Sequence, residues 1–275
     1  MAGQHEISSM ALFCDFENIA LGVRDARYAH FDIKKVLERL LLKGSIVVKK
    51  AYCDWDRYKE FKATMHEAAF ELIEIPHVRQ SGKNSADIRM VVDALDLCYT
   101  KAHVDAFVII SGDSDFSPLV SKLRENDKYV IGIGVKDSTS DLLSANCDEF
   151  IFYDDLVREQ EAKQKRSAKK SPSKVTADSK KTASPKGDDD KRQEALDFIV
   201  ETVEALIAER GSDEKIWGSL VKTTMQRRRP GFTESTYGFR SFKDLVEDAK
   251  KRELLIVVRD EKSGQYTLRL PETSE

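Results

Sequence analysis

Two fully apolar runs, each closed at once by acids and turn formers, constrain this chain more than any other feature. Met10-Ala11-Leu12-Phe13-Cys14 passes into Asp15-Phe16-Glu17-Asn18, and Ala106-Phe107-Val108-Ile109-Ile110 passes into Ser111-Gly112-Asp113-Ser114-Asp115-Phe116. Short runs apolar on every position, followed by helical patterns, are strands buried on both faces, and those belong to parallel sheets. Further strands are expected at 45–53, 71–76, 129–134 and 149–152, separated by helical periodicity at 32–42, 58–69, 85–100, 116–126 and 140–145. In the 85–100 segment Ile88, Val91, Val92, Leu95 and Tyr99 follow the i, i+3, i+4, i+7 rule. Asp32 and Ser85 are expected as helix N-caps and Gly44 as a helix end. The alternation predicts an α/β fold whose parallel sheet is sandwiched by helices.

Open sheets of this class place ligands at the carboxyl ends of their strands. If the first and fourth strands are neighbours, Asp15, Asn18, Asp113 and Asp115 converge. Two like charges about 4 Å apart repel by roughly 4 kcal/mol at an effective dielectric near 20. Such a cluster calls for protons or a hard cation, and oxygen donors suit Mg²⁺ or Mn²⁺. No helical pattern is expected between Asp15 and Asp32, so Asp15 has no predicted capping duty, while Asn18 reads equally well as a turn former. Glu17 ranks below Asp15. One of Asp113 and Asp115 is expected to cap the helix that follows, the other to face the site. Ser111 and Ser114 at that helix start suit phosphate oxygens. Asp87 sits in the first turn of its helix, where an acid is also worth about 0.3–1 kcal/mol against the dipole; the neighbouring Lys83 offers charge to a phosphate. Asp93 and Asp141 are secondary candidates.

The chain has 275 residues, enough for a large and a small domain, and its 41% hydrophobic content supports packed cores. The net charge of −3 gives no global nucleic-acid signature. No apolar run approaches membrane-spanning length, and the scattered Cys14, Cys53, Cys98 and Cys147 are expected as free thiols in a reducing cytoplasm. Residues 158–192 change character: between Lys163 and Lys186 there are nine Lys or Arg against one acid, Asp178, with no aromatic. That composition predicts a basic, disordered linker. From Gln193 the pattern turns regular again. Ala195, Leu196, Phe198, Ile199, Val203, Leu206 and Ile207 form one helical stripe; helices at 216–227 and 242–252 and a hairpin over 254–270 complete a winged-helix plan across 193–272.

Two enzyme readings fail on the residues. Asp15-Phe16-Glu17 lacks the second Asp of a haloacid dehalogenase-type phosphatase pair, and Gly132-Ile133-Gly134 lacks the third glycine of a dinucleotide fingerprint and follows a late strand. The ordered set Asp15-x-Glu17-Asn18, Lys83-x-x-x-Asp87, Ser111-Gly112-Asp113-Ser114-Asp115-Phe116 and Ser140…Cys147-Asp148 resembles the LabA-like NYN domain of the PIN-like nucleases, over residues 8–157. Tyr237-Gly238-Phe239-Arg240-Ser241-Phe242 before a helix and hairpin resembles the OST-HTH or LOTUS domain. The resemblance implies a metal-dependent endoribonuclease leaving a 5′-phosphate and a 3′-hydroxyl. Asp15, Asp87, Asp113 and Asp115 would hold one or two Mg²⁺ or Mn²⁺ ions, and Asn18 would orient phosphate or a metal water. The second domain would recruit single-stranded or G-rich RNA, or a protein partner, through Arg227, Arg228, Tyr237, Arg240 and Lys243. Phe232 and Phe239 are candidates for base stacking or for the small core, and Phe242 for the core. The rival reading is an RNA-binding adaptor with little or no catalysis.

Overall fold

β1 (Ser9–Asp15) is buried from Met10 onward because it lies in the middle of a six-stranded sheet with helices on both faces. The fold is known from a computed structural model that describes residues 7–75, 85–169, 186–211, 214–260 and 265–271. The chain runs on through α1 (Phe16–Asp25), α2 (Ile33–Lys43), β2 (Ser45–Cys53), α3 (Lys59–Glu67), β3 (Glu71–Glu74) and α4 (Ser85–Thr100). It continues through β4 (Ala106–Ile110), α5 (Ser117–Glu125), β5 (Tyr129–Gly134), α6 (Asp141–Asn146), β6 (Glu149–Phe152) and α7 (Tyr153–Lys169). The strand order is β3-β2-β1-β4-β5-β6 and every pairing is parallel. The chain thus winds outward from β1 in one direction, returns to β4 beside it, and winds outward in the other. A crevice opens outside the carboxyl ends of the two strands where the direction reverses, here β1 and β4. The expected parallel sheet sandwiched by helices is present.

Because strand side chains alternate faces, β1 serves two cores. Met10, Leu12 and Cys14 join Ile19, Val36, Leu40 and Met65 under α1, α2 and α3. Ala11 and Phe13 join Met90, Ala94, Phe107 and Leu119 under α4 and α5. Phe13 and Phe107 stack across the strand pair with centroids 6.0 Å apart. All four cysteines are free thiols, and no helix among the described residues is long and apolar enough to cross a membrane.

Two expectations need correction. A helix does follow β1 directly: Asp15 is the N-cap of α1, its side chain accepting from the Asn18 N–H. Gly22 lies within α1 where the helix meets the loop after β5: a Cβ there would meet Ser138 Oγ at 2.3 Å. The irregular segment expected from Arg158 is helical at both ends, α7 reaching Lys169 and α8 starting at Lys186. The reason is local: Glu159-Gln160-Glu161-Ala162 are strong helix formers. The rest of the expected linker, 170–185, lies outside the described residues.

The chain divides into two compact units, Met1–Pro172 and Ser173–Glu275. The second comprises α8 (Lys186–Arg210), α9 (Gly218–Arg228), α10 (Phe242–Lys251) and an antiparallel hairpin of β7 (Ile256–Arg259) and β8 (Tyr266–Arg269). Its core gathers Leu196, Ile199, Val203, Val221, Leu245 and Leu268. The Ile216 carbonyl accepts from the Leu268 N–H at 2.8 Å, tying the start of α9 to the hairpin.

Candidate nuclease site

β1 and β4 pair in register up to Cys14 opposite Ile110, so the segments leaving them start side by side. Two hydrogen bonds then tie those segments together, and two more brace them from within. The Ser111 hydroxyl donates to Asp15 Oδ2 at 3.0 Å and accepts from the Asp113 N–H at 3.2 Å. The Gly112 N–H donates to Asn18 Oδ1 at 2.9 Å, and the Asn18 N–H donates to Asp15 Oδ1 at 3.3 Å. The loop after β5 closes over this knot: the Gly112 carbonyl accepts from the Ser140 N–H at 2.9 Å. A Cβ on Gly112 would meet the Ser138 carbonyl oxygen at 2.4 Å, so only glycine allows that approach.

Asp15 is 8% exposed. Burial first, then the Asp87 and Asp113 carboxylates, push its carboxyl up to about 7, against the lowering effect of the Asn18 and Ser111 donors. Asp87, in the first turn of α4, is pushed up to about 6 by burial and then by Asp113, Asp115 and Glu17. The Asp87 and Asp113 carboxylates thus act on Asp15, and those of Asp113 and Asp115 on Asp87, which makes the four acids neighbours at this end of the sheet. Asp113 caps the short 3₁₀ turn Ser114–Phe116, accepting from the Asp115 N–H at 2.9 Å, while Asp115 is exposed. Asp113 thus both caps the turn and faces the other acids, while Asp115 stays exposed, so the expected division of one capping and one site-facing acid does not hold.

Other predicted residues fall elsewhere. Lys83 lies outside the described residues. Asp93 is a structural acid: it accepts from the Tyr52 hydroxyl at 2.9 Å and from Arg89 Nε at 3.0 Å, with Lys50 at 3.6 Å. Asp141 is exposed in the first turn of α6. Glu17 pairs with Arg57 at 3.0 Å, a partner that sequence spacing did not suggest. Sequence reading also missed Ser111 as the group that holds Asp15; the signal was its place directly opposite the end of β1.

In the second unit, Arg228 is turned inward. Its guanidinium bonds the Thr202 hydroxyl at 3.0 Å and Glu201 at 2.6 Å, and its side chain is only 12% exposed. This corrects its expected place on an open basic face, because a buried guanidinium must satisfy its donors within the fold. Arg227 is half-buried. Phe232 and Phe239 belong to the core rather than to a stacking surface, and Tyr237 is half-buried against Phe232 with centroids 4.9 Å apart. Phe242 is a core residue as expected. Arg240 and Lys243 remain exposed, Lys243 with Glu247 at 3.8 Å.

The donor set at the crevice is oxygen only, which suits a hard divalent cation, and a cation there would favour the ionised form that burial and the neighbouring carboxylates oppose. Among the described residues, however, no three His, Cys, Asp or Glu side chains are drawn together closely enough to hold a metal ion. The acids are neighbours without forming a closed cage.

The pattern defining the NYN domain family matches residues 9–154. The chain is 25% identical over 154 residues to Meiosis regulator and mRNA stability factor 1 of Xenopus tropicalis, a match covering 56% of this chain and 9% of that protein. It is 27% identical over 149 residues to an uncharacterized protein of Methanocaldococcus jannaschii, covering 54% of this chain and 55% of that one. The match thus takes in less than two thirds of either relative's length. A solved protein of unknown function from Vibrio parahaemolyticus is similar at 26% identity with a TM-score of 0.49, over 57% of this chain and 98% of that one.

Proposed function

The chain belongs to the NYN domain family, and from that premise we propose that it is a divalent-metal-dependent ribonuclease that cuts RNA internally. Family membership makes the function nuclease-like and directed at RNA; the metal and the endonucleolytic mode are this reading's additions. The observation that supports it is the crowding of Asp15, Asp87 and Asp113 at the β1/β4 crevice, where two carboxyls are held well above their ordinary range. A relative named as an mRNA stability factor is in keeping with an RNA substrate.

Asp15, Asp87 and Asp113 are the residues that would hold Mg²⁺ or Mn²⁺, which leaves the exposed Asp115 carboxylate to the substrate. When bound, such an ion lowers the pKa of a water and neutralises charge on a phosphoryl oxygen. The protein's own groups prepare that site. Burial and the neighbouring carboxylates push the Asp15 carboxyl up to about 7; its deprotonated form, the one that ligates, accepts from Ser111 and Asn18 and is held in place by them. Asn18 commits its carbonyl oxygen to Gly112, which leaves the amide N–H groups to donate to a phosphate oxygen. The Ser114 hydroxyl offers a further donor.

The second unit is read as a LOTUS-type winged helix that recruits single-stranded or G-rich RNA, or a protein partner. Its three helices and closing hairpin support this, with Arg240 and Lys243 as the exposed cations.

One observation favours the adaptor alternative: the described acids do not close into a three-ligand set. Cleavage of labelled RNA under Mg²⁺ or Mn²⁺ titration separates the readings. The wild type is expected to cut in proportion to metal occupancy, and the Asp15→Asn plus Asp113→Asn variant to lose at least about 100-fold in single-turnover rate. Equal turnover in both would end the enzyme reading, and tight RNA retention by an inert wild type would establish the adaptor.

A further inference from the structure

An open groove of about 610 Å³ runs beside the acidic crevice, lined by Ser114, Asp115, Ser117, Pro118, Ser121 and Leu142. Its chemistry differs from that of the crevice. Three hydroxyls and one exposed carboxylate lie along one side, and Leu142, 59% exposed, offers an apolar side chain. No Lys or Arg lines it, so it does not suit a phosphate.

Ser117 supplies an independent sign that the groove has an occupant. The residue is only 6% exposed, and among the described residues its hydroxyl has no hydrogen-bond partner. Its backbone carbonyl accepts from the Ser121 hydroxyl at 3.1 Å, so that neighbour is already committed. A buried hydroxyl without a partner is a standing cost to the fold. Serine reorients between staggered rotamers with little hindrance, so a ligand in the groove can supply the missing partner.

We propose that this groove takes the ribose and base of the nucleotide adjoining the scissile phosphate, with Ser117 and Asp115 reading the 2′-hydroxyl and Leu142 lying against the base. The inference rests on the ribonuclease reading above and adds how RNA is told from DNA. A 2′-hydroxyl both donates and accepts. It can donate to the Asp115 carboxylate, an acceptor only, and accept from the Ser117 hydroxyl. A deoxyribose satisfies neither group, and a site built around a substrate hydroxyl discriminates against the analogue that lacks it. Ser114 lies between the groove and the Asp113 cap, so a nucleotide seated here keeps its phosphate at the acids.

The test uses the full-length protein with Mn²⁺ and three substrates of one sequence: RNA, DNA, and RNA carrying single 2′-deoxy substitutions. Wild type is expected to favour RNA over DNA by about tenfold or more in kcat/KM, with one deoxy position accounting for most of the difference. Ser117→Ala is expected to lower kcat/KM more for RNA than for DNA, narrowing the ratio at least about threefold, while Tm stays level or rises because an unpaired buried hydroxyl has gone. Leu142→Ser, at an exposed position, is expected to raise KM for both substrates with little change in kcat. An unchanged RNA-to-DNA ratio in Ser117→Ala, or a Tm that falls, would overturn the groove's role while leaving the ribonuclease reading intact. A wild type that cleaves no nucleic acid under any metal would remove that reading, and the groove proposal with it.

Discussion

At the scale of single residues, Asp15 shows how one side chain serves both fold and site. It caps α1, receives the Ser111 hydroxyl and stands against two other carboxylates. Its carboxyl titrates near 7 in the folded protein, against a little below 4 when unfolded. Between those values the folded state holds a proton that the unfolded state has released. Stability therefore falls as pH rises through that window, and the loss is complete above about pH 7. In chelator, Asp15→Asn is expected to be more stable than wild type at pH 8 by on the order of 2 kcal/mol and nearly equal to it at pH 4. Mn²⁺ at pH 8 should raise the wild-type Tm and leave the variant almost unmoved. Denaturant titrations at pH 4, 6 and 8 decide this: a wild type that gains on the variant with rising pH would show that Asp15 is ion-paired rather than crowded by like charge. What the sequence disclosed of Asp15 was its place after a buried strand. It did not disclose Ser111 as its partner, because that contact depends on β4 lying beside β1, a non-local fact.

At the scale of elements, α1 is where sequence reading and structure part most clearly. Phe16-Glu17-Asn18 looks like a turn after a strand, and no helix is expected before Asp32. Yet Phe16, Ile19 and Val23 all face the core, which is helical spacing. Gly22 remains glycine because α1 presses on the loop after β5, with Ser138 Oγ 2.3 Å and Ser138 Cβ 3.3 Å from where its Cβ would lie. In a free helix Gly→Ala gains roughly 1 kcal/mol. Here Gly22→Ala is expected to destabilise by about 1–3 kcal/mol, since overpacking a closed contact outweighs propensity. Ser138→Ala in the same chain removes the closest atom and should restore most of that loss, a coupling readable in a double-mutant cycle. Additive effects would show that the two segments do not touch. The strands themselves were legible because they are apolar on every position; α7 beyond Arg158 was not, because charge-rich helix formers resemble a solvated linker.

At the scale of the whole chain, six parallel strands in the order β3-β2-β1-β4-β5-β6 create one reversal point, and the acids from β1, β4 and α4 gather there. Apolar runs foretell strands but not their order, so the convergence was an inference from fold class until the pairing of β1 with β4 was known. The second unit has its own core and its own hairpin, and none of the acids. If it recruits RNA, its contribution lies in capture and not in bond cleavage. Deleting residues 193–275 removes the second binding module from a two-module chain, and linkage of that kind multiplies affinity by an effective concentration. The truncated protein is expected to bind single-stranded RNA at least about tenfold more weakly, while single-turnover cleavage at saturating RNA changes less than about twofold. Charge reversal of Arg240 and Lys243 in the full chain should move affinity the same way and flatten its salt dependence, because both are exposed cations and the Lys243 pair with Glu247 is a loose one at 3.8 Å. Arg228→Ala should instead lower the Tm of this unit, since that guanidinium holds Glu201 and Thr202. Unchanged affinity after truncation would separate the second unit from RNA altogether and leave a protein partner as its ligand.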